Sequence, residues 1–414
     1  MSILTCAIQI GTSRILAVAA MKNNYNGTVS NIQIESEPAR DCVSHGCITN
    51  IERAAMHIRS LIQKLGNRMG ASISAAYVGV GGMSLHSLVQ QPSVSLPGYD
   101  VLSADPIGNS EYQLIVGESR IRQNVKAAMV RAGVRLVEFV ALPKATAYLL
   151  TEEERQKGCL LLDMGAATTT VSIYKDGDLK HLAVIPLAGD SVTYDIQSTG
   201  CSFDDAERYK HEWSDVSQEV PSESNSAASR LFSDQALPIP QGELNKIALC
   251  RYEEIAANIL HQIELSQLQG KLEAGCILTG GVAPQRGLTA LMSRRLGIAR
   301  IEVRAYREPG MMGSDRKPHL TNLLALLNFC CEECKVSVTP VKEESRVAAT
   351  PAPERPVTSP AASDGQQTLD MPDEPEEKQV QEPKPADGGD YNPEDNKIFE
   401  MLKKFGKDLF TGQK

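Results

Sequence analysis

The sequence predicts an α/β protein with a duplicated, two-lobed fold and a small inserted subdomain. A strand, a small-residue turn and a return strand occur at 7–18 and again at 159–174. Helix and strand patterns alternate after each hairpin. The two hairpins lie roughly 150 residues apart, too far for a solenoid repeat and suited to two related halves that face one another.

Residues 3–10 read as a strand, Gly11-Thr12-Ser13 as a tight turn and Arg14–Met21 as the returning strand. A third strand is expected at 30–38. Ile51, Ala55, Ile58, Ile62 and Leu65 recur at helical spacing within 50–69, and Ala75–Val80 is strand-like. A small region at about 83–118 has strands near 84–90 and 111–117, joined by a Pro/Gly-rich loop containing Asp105-Pro106-Ile107-Gly108. A helix at 119–132, a strand at 135–140 and a helix at 143–155 follow. Cys159–Asp163 is a buried strand, Thr170–Tyr174 its return and Asp176-Gly177 a hairpin turn. Helices are expected at 190–200, 204–214 and 241–269, a strand at Cys276–Thr279, and helices at 284–296 and 319–334.

Of the 414 residues 42% are apolar and 22% charged, enough for a large core. The net charge of -9 weighs against nonspecific nucleic-acid binding. Ten cysteines without paired spacing, several in apolar runs (Cys6, Cys159, Cys250, Cys276), suit reduced, buried thiols in a cytosolic protein. Cys330-Cys331-x-x-Cys334 offers three thiols and no evident fourth ligand, so it reads as a helix end rather than a metal site. The first apolar stretch is broken by Gln9, Gly11, Thr12, Ser13 and Arg14, so it is neither a signal peptide nor a membrane span.

Three short motifs carry the chemistry. Gly11-Thr12-Ser13, with Arg14, lets backbone N–H groups and hydroxyls approach phosphate oxygens, although Gly-Thr-Ser is also a common turn. Asp163 ends a buried strand before the small-residue turn Met164-Gly165-Ala166-Ala167-Thr168-Thr169, the pattern of a phosphate or metal-water site or of a plain hairpin. Gly280-Gly281-Val282, between a strand and a helix, allows a flat ring to lie on the backbone. Each is weak alone; the order and spacing of the three are specific.

These segments resemble the phosphate-1, phosphate-2 and adenosine motifs of the actin/Hsp70/sugar-kinase superfamily. More narrowly the chain resembles the FtsA family of bacterial cell-division proteins. Supporting stretches are Gly46-Cys47-Ile48-Thr49-Asn50, Ala76–Gly82, Leu149–Glu154 and Thr193-Tyr194-Asp195-Ile196. The resemblance implies an actin-like (ribonuclease-H-like) fold with subdomains around a nucleotide cleft, and places Glu207 and Lys210 on the adenosine side. On the residues alone that pair could equally be a solvated helix face. It also implies ATP as ligand, FtsZ and other division proteins as partners, and assembly with further copies of the chain.

The departures from that pattern bear on catalysis. Gln9 stands where the superfamily has Asp in phosphate 1. In phosphate 2, Ala166 and Ala167 replace glycines and Thr170 replaces an acid. Asp163 alone remains of three acids expected to hold hydrated Mg²⁺ and the attacking water. Loss of that charge predicts ATP binding with degraded hydrolysis. Two alanines in a tight turn would crowd phosphates if their φ were positive.

The expected divisions are 1–82, first part of lobe I; 83–142, a shortened inserted subdomain; 143–200, lobe II with the second hairpin; 201–275, its outer subdomain; and 276–335, the adenosine motif and closing helix. Residues 336–392 hold nine Pro and 12 acidic against 5 basic side chains, and read as a disordered linker. In 393–414, Ile398, Leu402, Phe405 and Leu409 form an apolar stripe widened by Phe399 and Phe410, flanked by Lys397, Lys403, Lys404 and Lys407. That is the pattern of a peripheral helix on the inner face of a membrane; docking onto the chain's own body or a partner groove is the alternative. The functional expectation is a membrane-tethered, polymerising division adaptor. The alternatives are a kinase-like or chaperone-like ATPase and an adaptor of a pilus machine.

Overall fold

Residues 2–107, 111–217, 239–307 and 317–335 are described by a computed structural model, all within the unit Met1–Pro340. The expected linker and terminal helix, with Ile398, Phe399, Leu402, Lys403, Phe405, Leu409 and Phe410, lie outside the described residues.

In the first lobe β1 (Ser2–Ile10) pairs antiparallel with β2 (Arg14–Asn23), and β2 with β3 (Val29–Pro38). A two-residue ladder, β4 (Val43–Ser44) and β5 (Cys47–Ile48), precedes α1 (Ile51–Met69). Strand β6 (Ala75–Val80) returns parallel to β1. The inserted region forms its own sheet of β7 (His86–Gln90), β8 (Tyr99–Pro106) and β9 (Tyr112–Glu118), with β9 central. Helix α2 (Ser119–Ala132) and β10 (Arg135–Ala141) complete the lobe, whose sheet runs β10-β6-β1-β2-β3.

The second lobe repeats this order. After α3 (Leu142–Thr146) and α4 (Glu152–Lys157), β11 (Cys159–Met164), β12 (Thr169–Lys175) and β13 (Asp178–Ile185) form the meander. Helices α5 (Gly189–Gln197), α6 (Phe203–Glu212) and α7 (Gln241–Leu265) follow. Then come β14 (Gly275–Thr279), α8 (Leu288–Leu296) and β15 (Ile301–Val303), giving the order β13-β12-β11-β14-β15. Each sheet is thus an antiparallel meander extended by two parallel strands. The duplication expected from the two hairpins holds for whole sheets.

Local chemistry explains most boundaries. In α1 the Asn50 side chain accepts from Arg53 N at 3.1 Å and Gly70 closes the helix in the left-handed region. Ala54, Ala55, Ile58, Leu61, Ile62 and Leu65 bury one face. The four large aliphatics contribute roughly 1.5–3 kcal/mol each on burial. Strands β6 and β14 are buried along their whole length, as parallel strands covered by helices must be.

Several expectations are corrected. The loop before β9 contains β8, an edge strand with Pro106 at its end, where a missing N–H costs no ladder bond. The expected helix 143–155 breaks because Leu150 is extended and Thr151–Glu154 form a new capping box. The expected helix 319–334 is only α9 (Thr321–Ala325) between 3₁₀ turns at Pro318–Leu320 and Leu326–Asn328. The chain there must turn under the first lobe. Lys22 Nζ donates to the carbonyls of Leu327 and Asn328 at 2.7 and 3.2 Å, and Cys334 N donates to Leu4 O at 2.8 Å. Helix α7 stops at Leu265, and Cys250 on it is exposed.

The core of the first lobe includes Ile8, Val18, Ile58 and Leu61, and takes in Leu323–Leu327, Cys330 and Cys334 from the closing segment. The second core lies around Leu162, Ile173, Tyr252, Ile255 and Leu278. The chain therefore crosses between lobes twice, before β11 and after β15, and leaves a cleft above the crossings.

Candidate nucleotide cleft

The cleft has a volume of about 1310 Å³ and opens between the β1–β2 and β11–β12 hairpin turns. Of the residues singled out from sequence, Gly11, Thr12, Ser13, Arg14, Asp163, Gly165, Ala166, Thr168, Glu207, Lys210, Gly280, Gly281 and Val282 line it. Ala167 and Thr169 do not. Thr169 is buried and its Oγ1 donates to Leu187 O at 2.8 Å, and Ala167 is also buried. Both are buried in the body rather than set on the cleft wall.

The first turn closes through Gly11 N to Arg14 O at 3.1 Å, and a Cβ on Gly11 would lie 2.9 Å from that oxygen. Thr12 Oγ1 accepts from Gly46 N at 3.0 Å. The second turn closes through Gly165 N to Thr168 O at 2.9 Å. Neither Ala166 nor Ala167 has positive φ, so the crowding expected of alanine here does not arise. The glycine requirement falls instead on Gly280, at φ +93°, where an added Cβ would lie 2.3 Å from Met164 O and 2.6 Å from Asp163 Oδ1. Val282 N donates to the same Met164 carbonyl at 3.1 Å. The Gly280-Gly281 backbone is thereby held close against the end of β11.

Among the described residues, Asp163, Asp190 and Glu207 beside the turns already have side-chain partners. Asp163 Oδ2 accepts from Asn322 Nδ2 at 2.6 Å, and burial pushes the Asp163 carboxyl above its usual range. Asn322 Oδ1 in turn accepts from Thr146 Oγ1 at 2.6 Å, so the two crossings and the end of β11 share one buried network. Gln9, in the acid's place, has a buried Oε1 with no donor among the described residues. Thr170 sits across the ladder from Asp163.

Glu207 and Lys210 are not a solvated helix face. Lys210 is 2% exposed and donates to Gly189 O, Thr193 Oγ1 and Glu207 Oε2 at 3.0, 2.8 and 2.6 Å. Burial pulls its ammonium down from the ordinary lysine range. Burial also opposes charge on Glu207, yet His211, Lys210 and Thr193 outweigh it and hold the carboxyl well below usual.

Arg40, Asp190, Phe203 and Asn322 were not singled out from sequence. Arg40, after β3, pairs bidentately with Asp190 at the start of α5, at 2.5 and 3.0 Å, and lies 4.4 Å above the Phe203 ring. The only sequence signal was Gly189-Asp190 preceding the quoted Thr193–Ile196 stretch; Arg40 carried none.

Metal ligands are sparse elsewhere. Among the described residues one group of three, Asp41, Cys42 and His57, brings ligand atoms within 4.8 Å of one another. Arg53 holds the other Asp41 oxygen at 3.0 Å, and burial pushes the Cys42 thiol up to about 12, which opposes a metal thiolate. Cys330 and Cys334 are buried in the first core and Cys331 is exposed, so the three thiols do not converge.

Residues 160–325 match the family model described as cell division protein FtsA. A cell division protein FtsA from Porphyromonas gingivalis is 31% identical over 346 residues, 72% of this chain and 72% of that protein. The same protein from Pseudomonas aeruginosa is 25% identical over 378 residues, 78% of this chain and 88% of that one. Among solved structures, the PilM-PilN type IV pilus biogenesis complex shares the fold with a TM-score of 0.61 at 17% identity, covering 79% of this chain and 98% of that one. The ethanolamine utilization protein EutJ from Carboxydothermus hydrogenoformans shows a TM-score of 0.50 at 17% identity, covering 79% and 89%.

Proposed function

The chain belongs to the family of the cell division protein FtsA and has an actin-like fold, and we propose that it acts in division as a polymerising adaptor. It joins FtsZ to the inner face of the cytoplasmic membrane and holds ATP with weak or no hydrolysis. The observation that carries the nucleotide part is the cleft in which Asp163, Asp190 and Glu207 are already spent on side-chain partners.

In this reading the Gly11–Arg14 and Gly165–Thr168 turns face the phosphates, Glu207 and Lys210 fix the ribose side, and the Gly280–Val282 backbone carries the adenine ring. The Gly280-Gly281 backbone, without side chains, suits such a ring. The donor set does not suit Mg²⁺. Asp163 is raised in pKa and already bonded to Asn322, while Gln9 and Thr170 bring no charge. A divalent ion would neutralise phosphate charge, and these residues would hold it poorly.

The membrane part rests on the sequence of 393–414. Six large apolar residues, from Ile398 to Phe410, would bring about 10 kcal/mol on full burial. Partial burial in headgroups and ordering of the helix at roughly 1 kcal/mol per residue remove most of that. One copy binds weakly, and a filament of many copies binds firmly through effective concentration. No helix among the described residues is long and apolar enough to cross a membrane.

The test compares full-length protein with a form ending at residue 392 on anionic liposomes, with Mg-ATP turnover measured alongside. The full chain should float with the vesicles at filament-forming concentrations, the shortened form should not, and phosphate release should stay near background. Equal flotation of both forms removes the anchor, and brisk Mg-dependent turnover removes the weak-hydrolysis reading. Failure to retain FtsZ from solution would remove the partner.

A further inference from the structure

The cleft has lost the acids that hold a metal ion, yet a nucleotide triphosphate brings several negative charges into it. Arg40 is placed to answer that charge. Its neighbour Ala39 donates its N–H to Ser13 O in the first turn at 3.1 Å. Its guanidinium grips Asp190, whose own N–H donates to Ala166 O in the second turn at 2.6 Å. One side chain thus spans the two turns from opposite lobes. It is 35% exposed and lines the cleft, whereas Asp190 is 7% exposed. Lys210, the buried cation beside it, is saturated by three acceptors and anchored to α5.

Resting on the nucleotide reading above, we propose that Arg40 supplies the counter-charge for the phosphates of a bound nucleotide in place of a metal ion, leaving Asp190 to do so. A guanidinium offers phosphate a planar fork of donors, which suits it to this exchange of one anion for another. The Asp190 pair is then the parked state of the cation. Because the pair joins the lobes, nucleotide entry releases a clasp between them.

The test is ATP binding to the full-length protein by equilibrium dialysis, in EDTA and in Mg²⁺, for wild type, R40Q, R40K and D190N. Wild type should bind with affinities within about twofold in the two buffers. R40Q should weaken binding about 10–100-fold in both, the loss expected for charge-assisted hydrogen bonds. R40K should recover part of it, and adenosine should bind all forms alike. D190N should bind ATP at least as tightly as wild type, because the competing anion is gone. A clasp that merely supports the fold would make R40Q and D190N weaken binding together, which overturns the proposal. So does wild-type binding that Mg²⁺ tightens more than tenfold. D190N keeps the test decisive should R40Q fold poorly. Absence of ATP binding by the folded wild type in either buffer removes the nucleotide reading itself; binding without an Arg40 effect removes only the role of Arg40.

Discussion

Replacing Gly280 by alanine should damage the protein far more than the same change one residue later. At Gly280 φ is +93°, a conformation that costs a residue with a side chain about 1–3 kcal/mol. The added Cβ would also sit 2.3 Å from Met164 O and 2.6 Å from Asp163 Oδ1. That carbonyl cannot retreat freely, because Val282 N donates to it at 3.1 Å and the net worth of such a bond is about 0.5–1.5 kcal/mol. Together the loss should be about 2–4 kcal/mol. For a body of this size each kcal/mol shifts Tm by about 2–4 °C, so the melting point should fall by about 10 °C. At Gly281 the nearest atom to an added Cβ is His319 Cβ at 4.0 Å and φ is not in the positive range, so Gly281→Ala should cost less than about 1 kcal/mol. Calorimetric melting of the full chain, with urea unfolding as a second measure, compares the two. A Gly280→Ala protein that melts with wild type, or a Gly281→Ala protein equally harmed, would refute the close-approach reasoning.

Glu154 is held down to about 2, first by its hydrogen bonds from Arg304 and then by the Thr151 N–H, against the opposing effect of burial. A depressed carboxyl stabilises the fold above its unfolded pKa and loses that contribution as pH falls from about 4.5 towards 2, on the order of 3 kcal/mol in all. Glu154→Gln should flatten the acid limb of the stability profile; an unchanged limb would rule the pair out as its source. Asn322→Ala strips Asp163 of its donor and should cost about 1–3 kcal/mol, with Asn322→Asp worse because two carboxylates would meet. Urea midpoints decide this, and an Asn322→Asp protein as stable as the alanine form would contradict it. Restoring glycine at both Ala166 and Ala167 should lower stability by about 0.4–1 kcal/mol per site, since neither position needs positive φ. A gain in stability would show the backbone to be strained there.

The sequence by itself determined what short range can determine. The β1–β2 and β11–β12 hairpins, the helical run of α1 and the apolar-rich β6 and β14 follow from periodicity and turn chemistry within a few residues. Two identical hairpin patterns implied two related lobes, and the turns between their strands located the cleft. Only the tertiary structure decided which polar groups meet across it. Arg40 and Asp190 are 150 residues apart, and Asn322 reaches Asp163 across 159. No local pattern marks such partners, because each satisfies a requirement created elsewhere in the chain. On the residues alone Lys210, at i+3 from Glu207, could equally have been a site residue or a solvated one, and its burial under α5 decided it. The closing segment read as one helix, yet the need to pair Cys334 with the start of the central strand β1 cut it to α9 and two tight turns. Periodicity reports which face is apolar; what that face and its polar neighbours must touch is decided only when the lobes close on each other.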